Sequence, residues 1–185
     1  DYVAQLTGKA YPVVLDPTLL AGSAFLDTIA IPEPSGEDYI LLYQIDSNPA
    51  SDISVNSLEK RFGCPVYTMT TPRLDARHGR RGTAGPEEFL SLLKGARFLV
   101  TNSFHGIALS LLMHKQFFVY ENGGVMSRID SLLELAGLKD RKVKMVADIE
   151  PEFAVDYAHV DVCLEKARTD SMEFLSKALA AEETT

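Results

Sequence analysis

The sequence predicts an α/β fold in which an open, doubly wound parallel sheet of the Rossmann-like type carries helices on both faces. Short apolar runs rich in β-branched and aromatic residues alternate along the chain with segments of helical period, which is the pattern of β-α units. The chain has 185 residues, of which 46% are hydrophobic and 24% charged, so it has the composition of a folded protein and the length of one domain with a substantial core. We therefore expect residues 1–185 to form a single domain.

The first half of the chain contains three predicted strands and two predicted helices. The second of these strands is hydrophobic without interruption, as expected for an interior strand covered on both faces. Glycines at positions 8 and 63 end the two helices, and Asp16-Pro17 is a turn that ends the first strand. In order, the elements are a helix at Tyr2–Leu6, a strand at Tyr11–Leu15, a strand at Asp38–Ile45, a helix from Ser51 to Phe62 and a strand at Cys64–Met69.

The middle of the chain has the clearest pattern, a strand, a helix and a strand in close succession. A helix first begins at Pro86, where proline and the carboxylates Glu87 and Glu88 suit a first turn, and stops at Gly95. A strand at Ala96–Thr101, a buried helix at Phe104–His114 and a strand at Phe117–Tyr120 then follow. Such tight spacing predicts a parallel, right-handed βαβ unit.

The last third of the chain is predicted to be mainly helical. Ser127 and Arg128 begin a helix that is buried through Ile129, Leu132, Leu133 and Ala136 and stopped by Gly137. Residues 143–146 predict an edge strand, and residues 161–181 predict a long terminal helix with one apolar face.

Charge and cysteine content exclude several classes of function. A net charge of -8 argues against a broad surface for nucleic acid or anionic lipid. Two cysteines form no disulfide framework, and neither they nor the four histidines show the spacing of metal ligands, so we assign no metal. The apolar runs are too short to cross a membrane. We expect a protein of the cytoplasm, either free or at the inner face of the membrane.

The candidate site lies at Thr101-Asn102-Ser103-Phe104-His105-Gly106. Ligands of doubly wound sheets bind at the carboxyl ends of the strands, and this segment joins such an end to a helix whose free amides and dipole attract anions. Asn102 or Ser103 is the expected N-cap, Gly106 permits close approach, and His105 offers a hydrogen-bond donor or a proton. The alternative is that Ser103 only caps the helix and His105 is a solvated residue of its first turn.

Three further features are candidates for ligand binding. Arg128 lies at a helix N-terminus, where a cation opposes the helix dipole, so it is either kept for a ligand or a surface residue. Asp16 either orients a sugar hydroxyl, acts as a base or only forms its turn. The stretch from Thr70 to Gly85 holds four arginines and one acid, which suits an anionic ligand or a solvated loop; the arginines are Arg73, Arg77, Arg80 and Arg81.

At these residues the sequence resembles the C-terminal half of the polysaccharide pyruvyl transferase family. The segment Val100-Thr101-Asn102-Ser103-Phe104-His105-Gly106 is the most specific part of the resemblance, and the order of the other segments adds to it. The resemblance runs from residue 1 to about residue 180. The other segments are Leu15-Asp16-Pro17-Thr18-Leu19-Leu20, Tyr39-Ile40-Leu41-Leu42-Tyr43, Gly85-Pro86-Glu87-Glu88-Phe89 and Ser127-Arg128-Ile129 with Leu132-Leu133.

The resemblance implies an enzyme with two domains of the GT-B type that needs no cofactor. Its donor is phosphoenolpyruvate, and its acceptor is a sugar or a lipid-linked saccharide on which the pyruvyl group becomes a ketal in exopolysaccharide biosynthesis. His105 is the implied catalytic residue. The implied substrate-binding residues are Asn102, Ser103, Phe104, Gly106, Arg128 and Asp16. The family's N-terminal domain, which would supply the opposite wall of the cleft, is absent from these residues, so the chain alone is expected to lack full activity.

Two other functions fit parts of the same sequence. A GT-B glycosyltransferase domain that binds a nucleotide sugar would need a carboxylate for the ribose, and Glu121, after the strand at Phe117–Tyr120, is the residue available for it. A non-catalytic, anion-binding domain would keep the fold without the chemistry. The Ser-Phe-His-Gly context favours the pyruvyl transferase.

Overall fold

The computed structural model describes residues 2–29, 38–45, 53–70, 85–121 and 126–182. Within these ranges the chain forms a five-stranded, wholly parallel sheet with the strand order β2-β1-β3-β4-β5. The strands are β1 (Ile40–Gln44), β2 (Val66–Thr70), β3 (Phe98–Thr101), β4 (Phe117–Tyr120) and β5 (Lys142–Val143). The helices are α1 (Tyr2–Thr7), α2 (Pro17–Ala21), α3 (Leu26–Ile29), α4 (Val55–Phe62), α5 (Pro86–Gly95), α6 (Phe104–Leu112), α7 (Ser127–Leu135) and α8 (Tyr157–Glu182).

Both faces of the sheet are covered, as the continuous hydrophobicity of its strands predicts. On one face, alternate strand residues such as Leu41 and Leu99 pack with the buried sides of α2, α5, α6, α7 and α8. On the other face, residues such as Leu42 and Val100 pack with Leu58 of α4 and with the segment after β5. The open, doubly wound fold is therefore confirmed, together with the parallel unit formed by β3, α6 and β4.

The predicted strand at Tyr11–Leu15 is wrong. Residues 10–16 have no regular structure, and Val13 is 94% exposed. The segment lies against α8, where the backbone N–H of Leu15 donates to Ser171 Oγ at 3.0 Å. Its apolar, β-branched pattern is that of a strand, but a strand needs a neighbour to pair with, and this segment pairs with a helix. Asp16 therefore does not end a strand; it is the N-cap of α2.

Several other boundaries differ from the predictions for local reasons. Helix α4 begins at Val55 rather than Ser51, because Ser54 caps it by accepting from Ser57 N. Helix α6 ends at Leu112, and His114 just beyond it has φ 51. The edge strand is only Lys142–Val143, after which Asp148 Oδ2 accepts from the backbone of Lys144 and Met145 and turns the chain. The terminal helix begins at residue 157, four residues earlier than predicted.

The structure does not test two of the sequence-based predictions. The arginine-rich loop from Arg73 to Arg81 falls outside the described residues. The division of the chain into domains stays a prediction. Within the described ranges, no helix has the length and apolar character needed to cross a bilayer.

Candidate functional site

The candidate site lies where the order of the strands reverses. From β1 the chain runs to β2 on one side of it, and β3 then adds to the other side, so the carboxyl ends of β1 and β3 form the switch point at which doubly wound sheets bind ligands. Asn102 connects the two ends, because its Oδ1 accepts from the backbone N–H of Ile45 at 2.9 Å. This side chain is buried and joins the carboxyl ends of β1 and β3.

Thr101 fixes the turn from β3 into α6. Its Oγ1 donates to the carbonyl of Tyr43 at 2.8 Å and accepts from the backbone N–H of Ser103 at 3.0 Å. The side chain is fully buried between β1 and the turn. The position of the turn is thus tied to the sheet by two hydrogen bonds from a single hydroxyl.

Ser103 is the N-cap of α6, whereas the sequence left Asn102 and Ser103 as the two candidates for this position. Its Oγ accepts from Gly106 N at 3.3 Å, and its carbonyl accepts from Ile107 N at 3.2 Å. The amides of Phe104 and His105, in the first turn, have no acceptor among the described residues. These two amides and the positive end of the helix dipole are therefore available to an anion.

Packing against the sheet explains why position 106 is a glycine, without any reference to a ligand. A Cβ there would lie 2.8 Å from Thr101 Oγ1 and 3.1 Å from Tyr43 Cδ1. The first is closer than side chains normally approach, so only glycine lets α6 begin so near to β1 and β3. Packing within the protein is thus an alternative explanation for the glycine that was predicted to make room for a substrate.

Asp16 brings together three elements that are far apart in sequence. As the N-cap of α2 it accepts from Thr18 N through Oδ1 at 3.0 Å. The same oxygen lies 3.9 Å from His105 Nε2, and Oδ2 accepts from an Arg128 NH2 at 3.1 Å. The Asp16 side chain is 17% exposed, whereas His105 and Arg128 are 55% and 66% exposed. A largely buried carboxylate thus lies beside two accessible basic side chains.

The carboxyl group of Asp16 is held in its ionised form. Burial by itself raises the pKa of Asp16, but the hydrogen bonds from Thr18 and the positive charges of His105 and Arg128 outweigh burial and hold that pKa below its usual value. The site therefore keeps a negative charge at its base throughout the neutral range.

Phe104 supports the side chains around it. The guanidinium of Arg128 lies over its ring, with Cζ 4.2 Å from the centroid, and the ring of His105 meets it edge-on at 5.5 Å between centroids. Because its guanidinium stacks on Phe104 and pairs with Asp16, the Arg128 side chain of α7 is held against the first turn of α6.

The structure separates the predicted site residues into two layers. Asp16, Phe104, His105 and Arg128 meet at the surface, while Asn102, Ser103 and Gly106 lie buried beneath them. Thr101 is the residue of this framework that the sequence did not single out as functional. A threonine at the end of a strand carries no signal of its own, because its role depends on the carbonyl of Tyr43 in a neighbouring strand.

Neither a metal site nor a ribose site is apparent in the described part of the chain. No three of its His, Cys, Asp and Glu residues are grouped so that they could hold a metal ion. Glu121, the carboxylate considered for a ribose, lies 3.1 Å from Lys142 Nζ, which also binds Asp130 at 2.8 Å. Glu121 is thus paired with a lysine of β5 that also pairs with Asp130 of α7.

Comparison with known proteins gives the family. The model of the polysaccharide pyruvyl transferase family matches residues 5–124, which is well over half of the chain and includes Asp16 and the turn at Thr101–Gly106. The chain belongs to this family. This family is one of transferases. Arg128 and α8 lie beyond the matched residues.

Other comparisons add little to this assignment. Among solved structures, one described as the glycotransferase of kitacinnamycin is similar over 78% of this chain and 41% of its own, with 19% identity and a TM-score of 0.44. The chain thus spans less than half of that protein. No curated protein matches the sequence significantly.

Proposed function

We propose that this pyruvyl transferase domain binds phosphoenolpyruvate at the carboxyl edge of β3 and transfers its pyruvyl group, as a ketal, to hydroxyls of a saccharide. The observation that carries the proposal is the meeting of His105 and Arg128 on the two oxygens of Asp16, directly above the N-terminus of α6. This arrangement offers a proton carrier and a guanidinium at a point where the backbone also attracts negative charge.

The reaction needs one proton to be added and two to be removed. Two C–O bonds form between C2 of the donor and two sugar hydroxyls, the C3 methylene gains a proton to become a methyl group, and the C2–O bond to phosphate breaks. One hydroxyl proton balances the proton added to C3, and the second leaves with the phosphate. His105 Nε2 is accessible and can carry a proton to the methylene, with the Asp16 carboxylate 3.9 Å away to balance its positive charge.

The donor carries a carboxylate and a phosphate, and the site offers partners for both. Arg128 can bind either group through two parallel hydrogen bonds, although it must share its guanidinium with Asp16. The amides of Phe104 and His105, which have no acceptor among the described residues, and the dipole of α6 suit the second group. Held in this way, the enol carbon lies near His105, and developing charge on the leaving phosphate is met by fixed donors.

The acceptor needs a surface opposite the donor. We propose a sugar or lipid-linked saccharide as acceptor and a further domain of the same enzyme, N-terminal to this one, as the opposite side of the cleft. The whole enzyme would then work in the cytoplasm or at the inner face of the membrane, where lipid-linked precursors of exopolysaccharides are assembled. It would need no cofactor besides the donor substrate.

Replacing His105 in the intact enzyme tests the assignment of the proton carrier. His105→Asn should lower turnover by roughly 100-fold to 10,000-fold, the usual contribution of a positioned acid or base. Turnover is followed as phosphate release by phosphorus NMR and as the new ketal methyl signal by proton NMR.

His114 provides a matched control for this substitution. It is 53% exposed, lies just beyond the other end of α6 and also sits beside a carboxylate, with Nε2 2.9 Å from Asp161. Asparagine suits its left-handed backbone, so His114→Asn should leave turnover unchanged. Near-normal turnover of His105→Asn would remove His105 from the mechanism.

A further inference from the structure

Helix α8 holds the turn that carries Asp16 from both sides. Before Asp16, the backbone N–H of Leu15 donates to Ser171 Oγ at 3.0 Å. After it, the carbonyl of Leu19 accepts from Nε and from NH2 of Arg168, both at 3.1 Å. Two side chains one helical turn apart on α8 thus fix the chain on each side of a residue about 150 positions away in sequence.

Both side chains are themselves held in place. Ser171 is 4% exposed, and its hydroxyl donates to the carbonyl of Ala167 at 2.7 Å, which leaves its lone pairs to Leu15 N. The guanidinium of Arg168 also pairs with Glu165 on the same helix. The first half of α8 is docked in the core through Val160 and Leu164, so the helix is a firm support.

The turn needs such a support. Helix α2 has only five residues, and a helix so short does not hold its own shape in water. Leu19 is buried in the core, but its side chain alone does not hold the backbone that precedes it. The bonds to Leu15 N and Leu19 O hold the backbone on both sides of Asp16, whose oxygens accept from Thr18 N and Arg128 and lie beside His105.

We propose that Arg168 and Ser171 are positioning residues of the site, which act through Asp16 on His105 and Arg128. Among the described residues, neither forms a hydrogen bond or an ion pair with these two residues, and both lie beyond residues 5–124, the part of the chain that the family model matches. Their effect on turnover rests on the proposed function, whereas their effect on the geometry of the site does not.

Kinetic measurements on the intact enzyme test the effect of Arg168 and Ser171 on turnover. A displacement of about 1 Å in a reacting group costs up to roughly 100-fold in rate, so Arg168→Ala should lower kcat/KM for phosphoenolpyruvate by about 10-fold to 100-fold. Arg168→Lys, which keeps one donor for Leu19, should lie between this variant and the wild type. Ser171→Ala removes the other contact and should act in the same direction.

Arg61 is the matched control for a merely structural loss. Its NH2 also donates to a backbone carbonyl, that of Ile149, at 2.9 Å, but on the opposite face of the sheet. Arg61→Ala should therefore lower the melting temperature without changing kcat/KM. An equal loss of kcat/KM in Arg61→Ala and Arg168→Ala would overturn the proposal.

A double substitution tests whether Arg168 acts through Asp16. In an Asp16→Ala background, Arg168→Ala should have almost no further effect on kcat/KM, because the carboxylate that it positions is gone. If Arg168→Ala costs the same factor in both backgrounds, its effect follows another route and the proposal fails.

NMR of the imidazole of His105 separates this inference from the proposed reaction. In the intact protein, Arg168→Ala and Arg168→Lys should move the ring resonances of His105, identified by their loss in His105→Asn, while Arg61→Ala should leave them in place. A wild-type enzyme that transfers no pyruvyl group would refute the proposed function alone. Unmoved His105 resonances in both Arg168 variants would refute the positioning role, whatever the reaction proves to be.

Discussion

Replacing Gly106 with alanine tests the packing that brings α6 against the sheet. The new methyl group would lie 2.8 Å from Thr101 Oγ1, 3.1 Å from Tyr43 Cδ1 and 3.3 Å from Thr101 Cγ2. Thr101 cannot turn away without losing its bonds to the carbonyl of Tyr43 and from Ser103 N. The turn between β3 and α6 must therefore either shift or lose hydrogen bonds.

The free energy of unfolding should fall by about 2 kcal/mol. Overpacking in a core typically costs about 1–3 kcal/mol. The loss of a hydrogen bond adds about 1 kcal/mol. The higher helix propensity of alanine offsets about 1 kcal/mol of this cost. Urea denaturation of Gly106→Ala and of the wild type measures the difference.

Two comparisons isolate the contact with Thr101. Gly85→Ala places a methyl group no closer than 3.5 Å to Glu87, its nearest neighbour among the described residues, and should cost no more than about 1 kcal/mol. In a Thr101→Ala background most of the clash is gone, so Gly106→Ala should cost at least about 1 kcal/mol less than in the wild type. A Gly106→Ala protein as stable as the wild type, or a cost unchanged by Thr101→Ala, would refute the packing argument.

Further predictions concern the cap, the carboxylate and the aromatic support of the site. Ser103→Ala and Ser54→Ala each remove an N-cap, and urea denaturation should show that each costs about 1 kcal/mol of stability. Only Ser103→Ala should lower turnover. If both variants have the same turnover, Ser103 does not support the site. Because the pKa of Asp16 is lowered on folding, its ionised form stabilises the protein above about pH 4, and this stability is lost as pH falls. The difference in unfolding free energy between wild type and Asp16→Asn should therefore shrink from pH 6 to pH 3. A difference that stays constant over this range would contradict the lowered pKa. Phe104→Leu removes the ring beneath Arg128 and should raise KM for phosphoenolpyruvate a few-fold, since an exposed cation–π contact contributes about 0.5–1 kcal/mol; an unchanged KM would exclude this support.

The elements that the sequence predicted correctly are those whose signals are local. Helix α5 has proline and two carboxylates in its first turn, and β3 and β4 are short apolar runs buried on both faces. Gly63 and Gly137 stop their helices with φ 67 and φ 69, a conformation that glycine adopts without strain. In each case the residues that decide the structure lie within the element or next to it.

The segment Tyr11–Leu15 shows where local signals mislead. Its pattern suits a strand, but the partner that decides its conformation is Ser171, 156 residues away. Hydrophobic pattern indicates that a segment is extended; it does not indicate whether an edge of the sheet is open to it. In the structure this irregular segment leads to Asp16, the N-cap of α2.

The sequence predicted most residues of the candidate site but not the contacts between them. The turn at Thr101–Gly106 was predicted because it follows a strand and begins a helix. Arg128 at a helix N-terminus and Asp16 at a turn were separate candidates, and the family resemblance supported both. The pairing of Arg128 with Asp16 joins residues 112 positions apart, and the support from Arg168 joins residues 149 positions apart. Such contacts depend on how the layers pack, which no local pattern records.

Calorimetric titration of the intact enzyme with phosphoenolpyruvate tests the central claim most directly. We expect the wild type and Arg61→Ala to bind phosphoenolpyruvate equally, and Arg128→Ala to bind it at least about 10-fold more weakly, because a charged hydrogen-bonded pair contributes about 1.5–3 kcal/mol. Nucleoside diphosphates, titrated in parallel, should not bind to the same site. Binding of a nucleoside diphosphate alone, or binding of phosphoenolpyruvate that Arg128→Ala leaves unchanged, would contradict the account.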